Sequence, residues 1–499
     1  MSTDLLVVPK SVRSERMTSN EWSFSAGMYQ TVEIPNARFE TVKDLIEGYQ
    51  VGEDPGSVAY MRSSPAHLIR TKALQDHTCL LSPKGGSFVP INPRALPSVA
   101  LRKGDILMAK DSNVGECAMV TEDLPNHSIS GGIVRIDPRP GVDRHYLFAF
   151  LKHPILKTQL LSMVPRGATI PHAKTLWLKC KIPFPSQTNS SAVVQYVSAL
   201  SEAIVAKEVA IRERNDQISM VIDTELARGQ KPTPFVYMNP SLDDIRGLGR
   251  LDAAIYSRDY KERVWPVLNY SKGYETPSAA GFSVTPGPSL EIKLLGTRID
   301  SDVPKSGFYE LLIPANISEW GTMSRISWLG TKKKLALLRK GDVLIGEAGF
   351  QKGRSIVLIE VSDFATTNAH GLYVRREDAD IVESIFFRCI FNWYRLQGLI
   401  DLMAVGGSGG HFSPEYFDAV QIPKFPRALR EKIASFYHSP AGEFPRHLDA
   451  KHLVNAHAIR NESLGIWELD ADLSELRAIL SDVQQRIIRG EFVALPGSK

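Results

Sequence analysis

The sequence predicts an α+β fold: two tandem α/β domains related by pseudo-two-fold symmetry, separated by long spacer helices that pack as an antiparallel coiled coil. Three observations predict it. One stretch of sequence occurs twice at nearly constant offset. Each copy mixes strand-period with helix-period segments, and each copy ends on a heptad helix. The 499 residues exceed one ordinary domain and leave room for two such copies of roughly 240 residues.

The repeat is anchored at Leu101–Leu107, LRKGDIL, and Leu338–Leu344, LRKGDVL, 237 residues apart. Each reads as a basic turn at Lys-Gly-Asp, where glycine permits positive φ, leading into a half-buried strand. Downstream, MAKDSNVGECAMV and IGEAGFQKGRSIVL both read as strand, glycine turn, strand. Gly104, Asp105, Gly341 and Asp342 are accordingly read as structural, through turn geometry and local hydrogen bonds. Next, the apolar stretch Tyr146–Met163 faces Phe386–Met403 at an offset of 240. Both have helical period, and Pro154 divides the first into two shorter helices. Finally Arg166–Pro185 faces Gly406–Pro426, each a Gly-rich loop, a short helical turn and a strand ending in Ile-Pro. Three matched blocks in the same order are the signature of duplication.

A helix follows each Ile-Pro. In the first, Val197, Ile204, Ile211 and Ile218 recur every seven residues with Leu200 on the companion seam, interrupted by Lys207 and Arg214. In the last segment Leu473, Leu476, Leu480, Val483 and Ile487 alternate by three and four, the pattern of a two-helix seam. A single apolar stripe is more often buried on its own domain. Two, one at the end of each copy, favour packing on each other. Both helices end on Arg-Gly, read as a helix stop. The resulting organisation is a first domain at 1–188, spacer helix at 189–228, Pro/Gly-rich linker at 229–248, second domain at 249–426, and second spacer at 427–492. An insertion at about 440–467 makes the second spacer unequal to the first.

Composition sets few limits. With 43% hydrophobic and 23% charged residues the chain can bury sizeable cores, and a net charge of +4 permits a polyanionic partner without arguing for one. Cys79, Cys117, Cys180 and Cys389 form no CxxC pair, which argues against a zinc site or disulfide scaffold and fits a reducing cytoplasm. No signal peptide or membrane span is read, so the expectation is a soluble, cytoplasmic, prokaryotic protein. Catalytic patterns are absent too. GEAGFQKGRS (Gly346–Ser355) only mimics a phosphate loop, no Asn/Asp-Pro-Pro-Tyr/Phe tetrapeptide occurs, and His447, His452 and His457 fall off a common helical face. No metal site is expected.

The ordered double set of KGD-[IV]-L strand, glycine turn, Gly/Ser-rich loop, Ile-Pro strand and spacer helix ending near Arg-Gly resembles the DNA-specificity (S) subunit of type I restriction–modification systems. The resemblance runs from about Ser23 to Phe492, and GRLDAAIYSRDYKE (Gly249–Glu262) looks like the opening of a second target-recognition domain. It implies a non-catalytic subunit. Each recognition domain would read one half of a split target in double-stranded DNA, and the spacers would set the gap. The spacers would also dock two methyltransferase (modification) subunits. S-adenosylmethionine would sit in those partners, with no cofactor bound by this chain, and helicase–nuclease (restriction) subunits would join for cleavage. Two sites at fixed separation meet bases at fixed separation along the duplex.

For DNA contact the polar and basic residues of the repeated loops are the candidates: Arg166, Thr169, His172 and Lys174 in the first copy, Ser408, His411 and Ser413 in the second. Lys332, Lys333 and Lys334 precede the second strand block, and Lys352 and Arg354 lie beyond its turn. A charge run is usually a solvated face, but phosphate binding needs several cations together. Two other classes stay open on sequence: a self-contained modification or restriction enzyme, and a protein-binding repeat scaffold.

Overall fold

The computed structural model describes residues 5–18, 29–83, 86–96, 100–164, 172–323, 325–349, 352–406, 410–440, 442–445 and 448–496. The chain divides into two compact units. The first comprises residues 1–209, 443–462 and 472–499; the second comprises residues 210–442 and 463–471.

In the first unit the repeated strand Ile106–Ala109 lies inside a four-stranded antiparallel sheet. The order is Ile46–Val51, Ile133–Pro138, Ile106–Ala109, Cys117–Met119. All four residues of the repeated strand are buried, as a central strand covered on both faces requires. The turn before it forms as the motif predicts. Gly104 has φ +91°, and the Asp105 carboxylate accepts the Arg102 N–H at 2.8 Å. A second sheet sets Ala66–Ile69 between antiparallel Phe88–Ile91 and parallel His127–Ile129. The Ile-Pro strand, Lys181–Pro183, pairs with Phe39–Thr41, so the end of the domain closes on its beginning.

The second unit repeats this plan. Its main sheet runs Phe282–Pro286, Gly371–Arg376, Val343–Gly346, Ser355–Val357, strand for strand the same order and again antiparallel. Its second sheet holds Tyr309–Leu311 between antiparallel Ser327–Gly330 and parallel Ala365–Thr366, with Ile299–Ser301 added at the edge. Ile422–Pro423 pairs with Tyr274–Glu275. Gly341 has φ +87°, and Asp342 accepts the Arg339 N–H at 2.7 Å. The duplication is therefore a duplication of topology.

The apolar stretches form helices. Pro154 starts a new helix, Pro154–Met163, after Arg144–Lys152, as the sequence indicates. Its counterpart is likewise divided, into Ile381–Leu396 and Leu399–Met403, with Gly398 between them at φ +72°.

The first spacer is one 39-residue helix, Ser190–Arg228. The second is broken into Arg427–Tyr437, Ala450–Ser463 and Ile466–Arg489, so the insertion is itself largely helical. Within the first unit Gln187 bonds Val493, Lys207 bonds Asp472, and Glu208 pairs with Arg477. Rising numbers on one helix meet falling numbers on the other, so the helices run antiparallel. Val197, Leu200, Ile204, Ile211, Ile218, Leu473, Leu476, Val483 and Ile487 are all buried, and Leu480 is half-buried. The two polar breaks in the seam are satisfied locally. Lys207, fully buried, donates to Asp472 and to Asn461 at 2.8 Å each, and in the second unit Arg214 donates to the Leu464 carbonyl at 3.0 Å.

The two Arg-Gly ends differ in cause. Gly490 takes φ +71°, the left-handed stop the motif predicts. Gly229 does not take positive φ; a Cβ there would lie 2.2 Å from the Tyr270 ring, so close packing is what calls for glycine. Among the described residues no helix is long and apolar enough to cross a membrane.

Candidate nucleic-acid interface

In each unit the repeated strand delivers its next residues to one spot, and the Gly-rich loop returns to that spot. In the first unit Asp111 forms a β-bridge with His172, and Ala173 N–H donates to the Lys110 carbonyl at 2.8 Å. The side chains then meet: His172 Nδ1 lies 2.8 Å from Asp111 Oδ1, and Lys110 Nζ lies 2.5 Å from Asp111 Oδ2. His172 is exposed while Asp111 and Lys110 are partly covered, so a half-buried carboxylate underlies an imidazole that faces water. Lys174, also exposed, adopts φ +48°, a strained setting for a non-glycine residue at the end of the loop. Arg166 and Thr169 lie outside the described residues.

In the second unit His411 bridges both Ala348 and Val405, exchanging backbone hydrogen bonds of 2.9 and 2.7 Å with Val405. That clamps the mouth of the loop, whose flanking Gly406 and Gly410 take φ +95° and +56°. Phe412 N–H donates to the Glu347 carbonyl at 2.8 Å. Glu347 Oε1 then lies 3.6 Å from His411 Nδ1 and 3.4 Å from His370 Nδ1. Ser413 begins the short helical turn Pro414–Ala419 and is half-buried. Ser408 lies outside the described residues. The two sites thus share a plan, a carboxylate at the end of the repeated strand facing loop histidine, but differ in chemistry. The first adds a lysine; the second adds another histidine.

The remaining candidates separate into outward and inward groups. Lys332, Lys333 and Lys334 are exposed, with Lys333 Nζ resting on the Leu294 carbonyl at 3.1 Å. Lys352 is largely covered and pairs with Asp401 at 3.0 Å. Arg354 points inward, donating to the Ile317 carbonyl at 3.0 Å, and burial lowers its pKa. Both serve the packing beneath the loop in this structure.

Asp111, Glu347 and His370 escape the motif reading. The signal for them is positional: they follow the repeated strand or lie across from its end. The cysteines supply no reactive thiol, since burial pushes Cys79, Cys117 and Cys180 up to about 12 and Cys389 to about 11. Among the described residues no group of His, Cys, Asp and Glu is arranged to hold a metal ion. His457 is buried against Phe444, and His452 bonds Asp449, which lies just ahead of its helix Ala450–Ser463; His447 is outside the described residues.

No family model matches the chain, and no curated protein matches it. Among solved structures it is similar to the type I restriction–modification S subunit from M. genitalium, at 11% identity and a TM-score of 0.40, over 90% of this chain and 95% of that one. It is similar also to the HsdS subunit from Thermoanaerobacter tengcongensis, at 15% identity and a TM-score of 0.28, over 91% and 97% of the two chains. A chain solved to explain complex assembly and conformational transition of the type I R-M system gives 15% identity and a TM-score of 0.28, over 92% and 99%.

Proposed function

We propose that the chain is a non-catalytic DNA sequence-specificity subunit of a type I restriction–modification system. One observation carries the reading. Two units with the same strand order present, at the same place on that order, different sets of polar groups: Lys110, Asp111 and His172 against Glu347, His370 and His411. A shared frame with unlike polar tips is what two readers of unlike half-sites require. Carboxylates accept from the exocyclic amino groups of cytosine or adenine in the major groove, and imidazoles donate or accept at base edges. Lysines such as Lys174 and Lys332–Lys334 would hold phosphates.

In this reading each domain binds one half of a bipartite target in duplex DNA. The spacer helices set the gap and dock two methyltransferase subunits, which hold S-adenosylmethionine and do the chemistry. A helicase–nuclease subunit joins them for cleavage of unmodified DNA. The test is to express the chain with a type I modification subunit in cells lacking other methylation and to map modified bases by single-molecule sequencing. A discontinuous motif that depends on this chain is expected. Methylation by the isolated chain would overturn the non-catalytic assignment, and methylation without sequence preference would overturn the specificity role. The variant His172→Ala should alter one half of the motif only, and His411→Ala the other.

A further inference from the structure

We propose that a groove at the opposite end of the repeated strand in the second unit binds phosphate groups, those of the DNA backbone in the first instance. This rests on the reading of the chain as DNA-binding.

The groove has a volume of about 580 Å³ and is lined by Lys334, Arg339, Lys340, Asp363, Tyr373 and Arg375, among others. Its charges are unequal. Arg375 is spent internally, bonding both oxygens of buried Asp342 at 2.8 and 2.6 Å, with its guanidinium over the Tyr373 ring. Among the described residues no carboxylate pairs with Lys334, Arg339 or Lys340, and all three are exposed. Among the described residues Asp363, also exposed, is the one acidic side chain that lines the groove. Three cations against one carboxylate, around a recess of this size, favour an anion carrying more than one charge.

The cations stand on a rigid base. Asp342 fixes the turn by accepting the Arg339 N–H, Gly341 N–H donates to the Leu358 carbonyl at 2.8 Å, and Gly341 takes φ +87°. The first unit repeats the device: Asp105 accepts the Arg102 N–H, Asp123 accepts the Lys103 N–H at 2.9 Å, and Arg102 and Lys103 stay exposed. A turn whose carboxylate is used on its own geometry leaves an Arg-Lys pair pointing to solvent, twice. From Gly341 to Glu347 the extended chain covers about 20 Å at roughly 3.3 Å per residue. That span matches the major groove, about 12 Å wide, together with the phosphates on its rim. Bases would be read at the Glu347 end while the backbone rests in the groove.

The test uses the full chain carrying Lys334→Ala, Arg339→Ala and Lys340→Ala together. A control variant replaces the exposed Lys293, Lys305 and Lys432 by alanine and removes the same charge elsewhere on the unit. Binding to a duplex of arbitrary sequence is measured as a function of salt. Each lost phosphate contact lowers the slope of log K against log salt by about 0.9. The groove variant should lose 2 to 3 in slope and the control less than 1. An equal loss in both would show diffuse charge and overturn the proposal. Inorganic tripolyphosphate, titrated calorimetrically, separates the sources. If only the tripolyphosphate affinity falls in the groove variant, the groove is a phosphate site for a free ligand and the DNA-backbone assignment is overturned. If neither measurement moves, there is no phosphate site. If the wild-type chain binds no duplex at low salt, the DNA-binding reading itself fails, and the tripolyphosphate titration alone decides the groove.

Discussion

The two units share a strand order but treat charge in opposite ways beneath the hairpin that follows the repeated strand. In the first unit the residue after the Gly115 turn is Glu116, nearly buried, with Lys157 bonded to it and Lys152 at 3.9 Å. In the second unit the residue after the Gly353 turn is Arg354, with buried Arg388 and Glu319 and half-buried Arg395 nearby. Burial, aided by the neighbouring Arg388, pulls Arg395 down to about 10. One unit buries an acid among bases; the other buries bases around an acid. The apolar alternation that sets strand order is indifferent to which sign lies below it, provided each set finds local partners. A duplicated frame is therefore free to change its chemistry without changing its topology.

The largest effect expected from breaking this comparison is at Lys207. It is fully buried and bonded to Asp472, which Arg460 also holds at 2.8 Å, so the insertion helix, the first spacer and the terminal helix meet in one ionic knot of the first unit. Lys207→Ala empties a fully buried site and takes the ammonium from Asn461 and the half-buried Asp472, at a cost of about 3–5 kcal/mol. Hydrogen exchange should accelerate in peptides covering Ala450–Ser463 while the sheet of the second unit keeps its protection. A stability loss below about 1 kcal/mol would show that the knot does not hold the first unit together.

Next in size is a pH effect confined to the first unit. His153 Nδ1 accepts the Ile155 N–H at 3.1 Å to cap the Pro154–Met163 helix, and burial lowers its pKa to about 4. The unfolded chain binds this proton near 6.5, the folded chain only near 4, so the unfolded state holds more protons in between. Stability is full above 6.5 and falls as the pH drops toward 4, by up to about 3 kcal/mol. His153→Asn keeps a side-chain cap and removes the titration, so its melting temperature should change less between pH 7 and 5 than that of the wild type. Equal slopes would place the pH sensitivity elsewhere.

These two residues also mark what sequence discloses and what it does not. The strand order, the Ile-Pro strand and the buried seam are legible because periodic apolar residues act over many positions, and a duplicated pattern reports itself twice. Lys207 is visible only as a flaw in a heptad, since its partners lie 254 and 265 residues away. Likewise Asp111 meets His172 across 61 residues, and only the loop's return brings them together. Arg354 reads as a surface cation beside Lys352, yet the Ile317 carbonyl captures it from 37 residues away. Inequality of the spacers is foreseeable from length; that the insertion is a helix packed by ion pairs is not.

A smaller effect is expected at Glu116. Glu116→Gln keeps the shape but removes the charge facing Lys152 and Lys157. Lys152 retains the Gln75 and Cys117 carbonyls, and Lys157, 43% exposed, turns to water, so the cost should be about 1–2 kcal/mol by chemical denaturation. A cost as large as that of Lys207→Ala would show that Lys152 and Lys157 do not find these alternatives.

The smallest effect should come from a buried cation of the other unit. Arg388 is 1% exposed; its Nε donates to the Ser355 carbonyl at 3.2 Å and its guanidinium lies 5.0 Å from the Tyr437 ring centre, but neither Nη atom finds an acceptor among the described residues. Replacing it by methionine forfeits the ring contact and one hydrogen bond, about 2 kcal/mol together. It also removes a desolvated charge facing Arg395, and that relief is of similar size. Arg388→Met should therefore shift stability by less than about 1 kcal/mol, in contrast to the loss at Lys207, because one charge is paired where it is buried and the other is not. A loss above about 3 kcal/mol would mean that the Nη donors are engaged, and the two units would then bury charge by the same rule.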